Sequence, residues 1–455
     1  MILFLARHEW RVLTASAIVR LVVVVFGIAL VASTGLGIAR ASREHATIAT
    51  FEQRGERQRA QAVDLRADVA ANERGWLALL PPAPLGALAV GQGDVYPNYI
   101  KITARSLDAL VSGDQIEHPL SVANGQFDAA FVMLFLYPLL IFAVSFDLTA
   151  SERARGTLRM VLSQPVTLRQ VVAGKMVVRT LLLVIPAIVL PLALLTFTAP
   201  VDATFMQRAV PWSIVVAAYA AVWHGLALLV NARGLSAAAN ALVLAGVWLL
   251  FVVVGPSAVN LLIATSYPMP SRVEAAVQAR AATQEATVQG SRELGQFLQD
   301  HPTSGSVGRE GMRQFAVLQA ERDQRVADRL QSVESAFNEQ LQKQQRLASW
   351  LSVLSPTMIA QGVLLDVAGT STYRFDHFRD EAAAFQRQWR AYFEPRVLDA
   401  ATLTPQDYAA APAFAYQDEP VSAMRQRIVL PVAMMIGVAM LLWWAGFRKY
   451  EGYQL

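Results

Sequence analysis

The sequence predicts an all-α polytopic membrane protein with six transmembrane helices, both termini in the cytoplasm, and a largely helical extracytoplasmic domain between spans 5 and 6. The first observation behind this prediction is composition: 54% of the 455 residues are hydrophobic and only 16% are charged. Soluble domains are about 45–50% apolar and about 25% charged. The other two observations are the lengths of the apolar stretches and the placement of basic residues between them.

Six stretches are apolar over about 20 residues, the length that a helix needs to cross the hydrocarbon core of a bilayer. They are residues 15–39, 127–148, 176–198, 211–230, 237–264 and 426–447. The first stretch has two interpretations, an uncleaved anchor or a cleaved signal peptide. Its apolar run, Leu21–Ala39, is longer than the about 7–15 residues of a typical signal-peptide core, which favours the anchor.

Basic residues are concentrated in the short segments on one side of these spans. Residues 1–14, the connection after the second span (residues 149–175) and the tail (residues 448–455) each carry more basic than acidic residues. Cytoplasmic loops carry such an excess, so both termini are predicted to be cytoplasmic. In the long segments 40–126 and 265–425, acidic residues outnumber basic ones. The net charge of +4 therefore reflects membrane topology rather than nucleic-acid binding.

The two long segments are predicted to lie outside the membrane on the other side. Residues 40–72 are charged and poor in Gly and Pro, which indicates that the first helix continues beyond the membrane, whereas residues 75–124 are rich in breakers and predict loops or short strands. From Phe315 to Leu347 apolar residues recur at helical spacing, and Phe375–Phe393 is a candidate antiparallel partner. Ser355–Ala368 is too short to span and is predicted to lie along the outer membrane boundary.

The most informative motif follows the second span, where residues 147–166 read DLTASERARGTLRMVLSQPV. A helix that begins here has Glu152 at its positive end. Its arginines can pair with acidic groups on a partner, Gly156 permits close approach of a backbone, and two leucines one turn apart supply an apolar contact. The candidate partner-binding residues are Glu152, Arg153, Arg155, Gly156, Thr157, Leu158, Leu162 and Pro165.

This stretch resembles the first cytoplasmic loop of ABC type-2 transporter permeases. Those loops show Glu-Arg-x-x-Gly-Thr-Leu, then leucines, a Ser-x-Pro-Val turn and a Gly-Lys pair, and this chain has them at Glu152–Leu158, Ser163–Val166 and Gly174–Lys175. In that family the loop is a coupling helix seated in a cleft of the ATPase subunit. The alternative is an ordinary basic loop that obeys the positive-inside rule. The order and spacing of the motif favour the coupling interpretation.

The resemblance implies a permease subunit of the bacterial inner membrane that works with separate ABC ATPase subunits, in two copies, and with a second copy of itself or a related permease. ATP and Mg would be bound by the ATPase partner, with no cofactor on this chain. The sequence contains no G-x-x-x-x-G-K-[ST] phosphate loop, so no catalytic site for ATP hydrolysis is predicted on this chain. The large outer segments leave open a periplasmic partner, and with it the choice between substrate export and mechanical work.

Other parts of the chain share this resemblance. Met1–Leu13 is similar to the short interfacial helix that precedes the first span in such permeases, and its alternating apolar and charged residues suit the headgroup layer. Pro84–Ala104, Gly125–Val132 and Leu354–Thr370 are similar to segments of a bacterial subgroup with enlarged outer loops.

Polar residues within or near the spans are the remaining candidates. His224 lies in the fourth span, where an ionisable group is a functional candidate, although a hydrogen bond to a neighbouring helix is the favoured explanation. Asp147 and Arg179 lie near the cytoplasmic ends of their spans and are predicted to pair with each other or to reach the interface. The histidines form no metal-binding spacing and cysteine is absent, so no metal site is predicted.

Three alternative functions are open. An intramembrane hydrolase needs a nucleophile and a base on facing helices, for which His224 and Ser257 can be considered, but no G-x-S-x-G motif surrounds Ser257. A sensor needs a sizeable cytoplasmic output module, and the predicted inner segments are short. A membrane scaffold or assembly factor without transport activity is the main alternative to a permease.

Overall fold

The computed structural model describes residues 2–60, 65–91, 98–105, 107–108, 127–198, 201–268, 339–399 and 401–451, together with scattered helical residues between 277 and 335. Of the residues described, 79% are helical. Within the described ranges, six helices are long and apolar enough to cross a membrane, which confirms the six predicted spans. They are Ala17–Arg57, Ala129–Ala154, Leu168–Leu195, Ala203–Asn231, Ala237–Ser266 and Val421–Glu451.

We number the helices in chain order as α1 (Ile2–Ala15), α2 (Ala17–Ala60), α3 (Ala129–Ser145), α4 (Ala150–Ala154), α5 (Thr157–Leu162), α6 (Leu168–Leu195), α7 (Ala203–Asn231), α8 (Ala237–Ser266), α9 (Pro356–Ala368), α10 (Thr372–Leu398), α11 (Pro405–Ala409) and α12 (Val421–Glu451). The strands are β1 (Leu65–Arg66), β2 (Trp76–Leu79), β3 (Tyr99–Ile102), β4 (Leu107–Asp108) and β5 (Thr402–Leu403). Helices α3 and α8 each contain a π-helical turn, at Val132–Leu136 and Leu249–Val254.

Two helices form the centre of the bundle. In α3 and α7, 67% of the apolar window is buried, against 17% in α8 and α12. Helix α7 packs against α3, α6, α9 and α12. Gly225 permits the close contact with α12, since a Cβ atom there would lie 2.8 Å from Cβ of Leu442. The outward faces of α8 and α12 are exposed and apolar, as expected for surfaces in contact with lipid.

Both ends of the chain lie at the same end of the bundle, which we call the terminal face. Glu9 of α1 forms an ion pair with Arg179 of α6, with an N–O distance of 2.6 Å. Tyr450, near the end of α12, packs against Leu148 just after α3. The opposite end of the bundle, where α2 extends beyond its apolar part, is called the distal face.

Side chains from other helices bond to the carbonyl groups that the π-helical turns release. Tyr219 of α7 and Trp248 of α8 donate hydrogen bonds of 2.9 and 3.1 Å to carbonyls in the turn of α3. Ser355, the residue before α9, donates from Oγ to the carbonyl of Phe251 in the turn of α8 at 2.6 Å. Because lipid offers no partner to a free carbonyl, these bonds determine how α3, α7, α8 and α9 fit together.

Helix α9, predicted to lie along the outer membrane boundary, is instead buried inside the bundle. Ser355 and Thr357 are 1% and 3% exposed, and Thr357 shares a hydrogen bond of 3.1 Å with a tyrosine in the middle of α7. The preceding helical residues 339–352 return along α8, where Gln344 bonds to the distal end of that helix. Residues 339–368 thus form a re-entrant hairpin. Its polar tip tolerates burial because both hydroxyl groups have partners.

Replacing Ser355 with alanine is expected to destabilise the protein by about 1–3 kcal/mol, because the buried carbonyl of Phe251 would lose its hydrogen-bond donor. Thermal unfolding of the detergent-purified variant measures this loss. The matched control is Ser352→Ala, which removes a hydroxyl that bonds to Ser349 within its own turn. Equal melting temperatures for the two variants would contradict the proposed anchoring of the hairpin tip.

Beyond the distal face, the described residues of segment 40–126 and of residues 369–420 form one unit, the distal module. Strand β1 of the first segment pairs with β5 of the second, antiparallel, with Leu65 opposite Leu403. Strands β2, β3 and β4 form an antiparallel sheet in that order. Helix α10 packs one aromatic face into the same core, with buried Phe378, Phe385, Trp389 and Phe393. These residues are seven or four positions apart, which is two turns or one turn of a helix, so they lie on one side of α10.

The amphipathic stretch Phe315–Leu347 is predicted to have Phe375–Phe393 as its antiparallel partner. Phe375–Phe393, part of α10, packs against the first segment, and Trp389 donates from Nε1 to the carbonyl of Ala71 at 3.2 Å. The expected helical domain between spans 5 and 6 therefore shares its core with the strands of the first segment. Residues 315–334, which carry most of the predicted amphipathic stripe, lie outside the described residues. The predicted continuation of the first helix is confirmed, since α2 runs to Ala60.

Ion pairs join the distal module to the spans. Arg427 of α12 bonds to Asp366 of α9 at 2.9 Å and to Glu419 at 2.6 Å. Arg374 of α10 bonds to Asp418 at 2.9 Å. Burial acts to raise the pKa of Asp418, but the charge and hydrogen bond of Arg374, together with Arg208 and Tyr416, hold the pKa below its usual value. These pairs link α9, α10 and α12 where the chain enters the bundle.

Candidate functional site

The predicted coupling loop folds into two short helices, α4 and α5, at the terminal face. Gly156 lies between them with a left-handed backbone, φ +77°, a conformation that glycine adopts without steric cost. Glu152 lies in the first turn of α4, where the helix dipole favours a negative charge, as predicted. The loop is therefore an ordered, sharply bent structure.

Polar contacts hold α4 against the bundle. Glu152 forms an ion pair with Lys175 of α6 at 2.7 Å. Arg153 donates two hydrogen bonds of 2.6 Å to the carbonyls of Gly234 and Leu235, in the connection between α7 and α8. Arg153 is one of the predicted partner-binding residues, and in this structure its guanidinium bonds to carbonyls of its own chain. The two side chains attach the loop to three spans.

The leucines of the loop also face inward. Leu158 is 2% exposed, and Leu162 packs beside it. Leu158, one of the predicted partner-binding residues, has its side chain buried in its own bundle. It packs in a cluster that contains residues of α6, α7 and α12, namely Leu168, Val172, Met176, Leu228 and Tyr450.

The outward side of the loop, which we call the docking face, is basic with one large apolar side chain. Its exposed residues are Arg155, Gly156, Thr157, Arg159, Met160 and Pro165. Met160 is 73% exposed, and a Cβ atom at Gly156 would meet nothing within 4 Å. Sequence reasoning missed Met160. Helical spacing could have predicted its exposure. Residues two apart on a helix point to different sides, so Met160 points outward if Leu158 points inward.

Asp147 and Arg179 do not pair with each other. Asp147 accepts hydrogen bonds from the backbone N–H of Ser151, at 2.7 Å, and from its hydroxyl, so it holds the start of α4. Arg179 pairs with Glu9 and donates to the carbonyl of Val144 at 2.6 Å. Sequence reasoning did not identify Glu9 as the partner, since α1 and α6 are far apart in the chain.

Two asparagines that the sequence analysis missed hold the end of α3 beside the loop. Asn231 accepts from the N–H of Leu148 at 3.1 Å and donates to the carbonyl of Ser145 at 2.9 Å. Asn240 donates to Asn231 at 3.1 Å and to the carbonyl of Phe146 at 3.1 Å. Both amides are buried. The sequence places Asn231 at the end of one predicted span and Asn240 at the start of the next. Because buried amides in membranes bond across helices, this placement could have predicted that they hold neighbouring helices together.

His224 and Ser257, the two residues considered for hydrolysis, lie in different surroundings in the part of the chain that the structure describes. His224 is fully buried, and among the described residues neither ring nitrogen has a hydrogen-bond partner, so the favoured interhelical bond is absent. Ser257 is exposed and donates to the carbonyl of Val253 on its own helix at 2.7 Å. In the same ranges, no group of three or more His, Asp or Glu is placed to hold a metal ion.

These observations define a multi-pass membrane protein with six apolar spans and an ordered two-helix loop fixed to one face. Residues 272–417, between α8 and α12, match a family described as "Domain of unknown function (DUF3526)". The matched stretch includes α9 and α10, and its description names no activity. No curated protein matches the chain.

Proposed function

We propose that this chain is the membrane-spanning permease subunit of an ABC type-2, exporter-like transporter, and that its docking face receives the motion of a separate ATPase subunit. The observation that carries the proposal is the loop itself. One side of α4 and α5 is attached to the bundle through Glu152, Arg153 and Leu158. The other side is free, basic and centred on the exposed Met160.

The contacts of the loop support a transmission role because each leads to a different span. Glu152 contacts α6 through Lys175, and Arg153 contacts the connection between α7 and α8. Leu158 shares its cluster with Tyr450 of α12. A force on α4 and α5 would thus act on four spans together. ATP can bias the bundle only through a difference in affinity of the ATPase for two bundle conformations, and a rigid connection is suited to produce that difference.

The proposed topology follows from charge. The terminal face carries the basic docking face, Arg169 and the basic end of α12. The positive-inside rule then makes this face cytoplasmic, and the distal module periplasmic if the host is bacterial. In this arrangement two ATPase subunits bind two permease chains, either identical or related, in the inner membrane.

The test is affinity purification of the tagged chain from its native membrane in mild detergent, followed by mass spectrometry and an ATP hydrolysis assay. The native chain is expected to retain a protein with a phosphate-binding loop. In Met160→Asp combined with Arg159→Glu, recovery of that protein should fall by about tenfold or more, as for a loss of about 1.4 kcal/mol in binding. The control is Met206→Asp, which changes an exposed methionine at the distal end of α7.

Two results would contradict the proposal. One is the absence of any phosphate-loop protein from the native eluate, even after chemical crosslinking. The other is undiminished recovery with the docking-face variant while that variant remains monodisperse in detergent. Either result would favour a membrane scaffold without an ATPase partner.

A variation of the proposal is mechanical work on a distal partner instead of export. The ion pairs of Arg427 and Arg374 join α9, α10 and α12, so movement of the spans would reach the distal module directly. Crosslinking the distal module to its neighbours in whole cells, followed by mass spectrometry, separates the two modes. A single abundant partner whose contact depends on ATP supports mechanical work.

A further inference from the structure

An apolar cavity of about 270 Å³ lies below the tip of the re-entrant hairpin, between α7, α8 and α12. The hairpin fills the space between these spans on the distal side, and the cavity is what remains on the side of the terminal face. Every residue that lines it is apolar, among them Val222, Leu226, Phe251, Leu354, Val438 and Leu442.

The cavity lies at the depth of the hydrocarbon core. Val222 and Leu442 are each roughly 14 Å from the ends of α7 and α12 at the terminal face, at a rise of 1.5 Å per residue. Its mouth is bordered by Leu354 and Val438, which are 65% and 46% exposed. Val438 belongs to the apolar outer surface of α12, and Leu354 is an exposed apolar residue at the hairpin tip. The medium that meets the mouth is therefore lipid.

The walls select against a polar ligand. The hydroxyl groups nearest to the hairpin tip are already used, since Ser355 bonds to the carbonyl of Phe251 and Thr357 bonds to Tyr219. A polar molecule would lose its hydrogen bonds to water and gain none from the lining. An empty cavity would forfeit dispersion contacts that a hydrocarbon chain supplies.

We infer that this cavity binds the acyl chain of a membrane lipid from the leaflet at the terminal face. A helix from a second copy of the protein is about 10–12 Å wide, so it would cover the mouth without entering. A single acyl chain is narrow enough to enter from the bilayer. The inference concerns lipid binding alone and holds whether or not an ATPase subunit drives the protein.

The experiment uses the purified full chain in phosphatidylcholine nanodiscs that contain a phosphatidylcholine with a diazirine in the middle of one acyl chain. After irradiation, mass spectrometry locates the labelled residues. Labelling is expected to concentrate at Leu226 and Val438 and in the hairpin tip. In Val438→Trp, which fills the mouth, labelling of the remaining cavity residues should fall by about tenfold. The control is Leu441→Trp, which enlarges another exposed apolar residue of α12 that does not line the cavity.

Two outcomes would overturn the inference. Uniform labelling of all lipid-exposed residues in the native chain would show that lipid only surrounds the bundle. Absence of label in the cavity, together with disulfide-linked dimers of Val438→Cys, would assign the mouth to a second copy. The disulfide is interpretable because the chain has no cysteine of its own. Both outcomes are read without the tryptophan variants, so misfolding of a variant does not obscure the result.

Discussion

Replacing Glu9 with alanine is expected to destabilise the bundle by about 3–5 kcal/mol, because the change leaves the buried guanidinium of Arg179 without its counter-charge. The two side chains are only 6% and 9% exposed, and Arg179 donates to the same carboxylate oxygen from Nε at 2.9 Å and from an η nitrogen at 2.6 Å. The pair attaches α1 to α6. Unfolding in mixed micelles with increasing dodecyl sulfate measures the loss.

The control for Glu9 is Glu339→Ala, which removes an exposed ion pair with Lys343. No measurable change is expected there, since surface pairs contribute little. The double variant Glu9→Leu with Arg179→Met should recover most of the stability, because replacing both charges removes the cost of burying them. If the single and double variants unfold alike, the loss is one of packing and the electrostatic explanation is wrong.

The spans are the part of the fold that the sequence predicts best. A bilayer imposes one length and one composition on each of them, so apolar runs such as residues 237–264 identify helices without knowledge of their neighbours. The prediction for α9 is wrong because it relied on these same two features, length and composition. Its 13 residues are too few to cross the membrane, and their polar tip argues for the surface. Only the partners of Ser355 and Thr357, which come from other helices, make burial possible.

The residue pairs that hold the candidate site together cannot be predicted from local sequence patterns, because the partners are far apart in the chain. Arg179 and Glu9 are 170 positions apart, and Arg153 reaches a carbonyl 81 positions away. A charge pattern predicts that arginines in this loop have partners, but it does not decide between a partner protein and the chain itself. Within the loop, helical geometry does decide. Leu158 and Met160 are two positions apart and point to opposite sides, so one is buried and the other exposed.

For the distal module, the sequence predicts the strands but not how they pack. Breaker-rich composition predicts short strands in residues 75–124, and β2, β3 and β4 are there. The first segment covers the aromatic face of α10, and the strands that pair the two segments, β1 and β5, are only two residues long each. Such strands carry too few side chains to specify a register. The fold of the module is thus determined by the core, where Trp389 and Phe393 pack, and not by local signals.

Replacing Gly37 of α2 with alanine is expected to destabilise the protein by more than about 3 kcal/mol, beyond ordinary overpacking. A Cβ atom at this position would lie 1.8 Å from the carbonyl oxygen of Ala87 and 2.8 Å from its carbonyl carbon. These are backbone atoms of a segment held on its other side, where Leu85 donates its N–H to Ala368 of α9 and Leu88 accepts from the N–H of Ala130. The segment therefore has no room to move away from α2.

The matched control is Gly35→Ala, two residues earlier in the same helix. A Cβ atom there would meet nothing within 4 Å, and alanine favours helix over glycine by about 0.8–1.0 kcal/mol. The two substitutions should therefore have opposite signs in the same mixed-micelle unfolding experiment. If Gly37→Ala is as stable as Gly35→Ala, the segment around Ala87 does not contact α2. In that case α2 would contact the distal module only further along the helix, where Glu44 accepts a hydrogen bond from Asn98 and Phe51 packs against Tyr99 among the described residues.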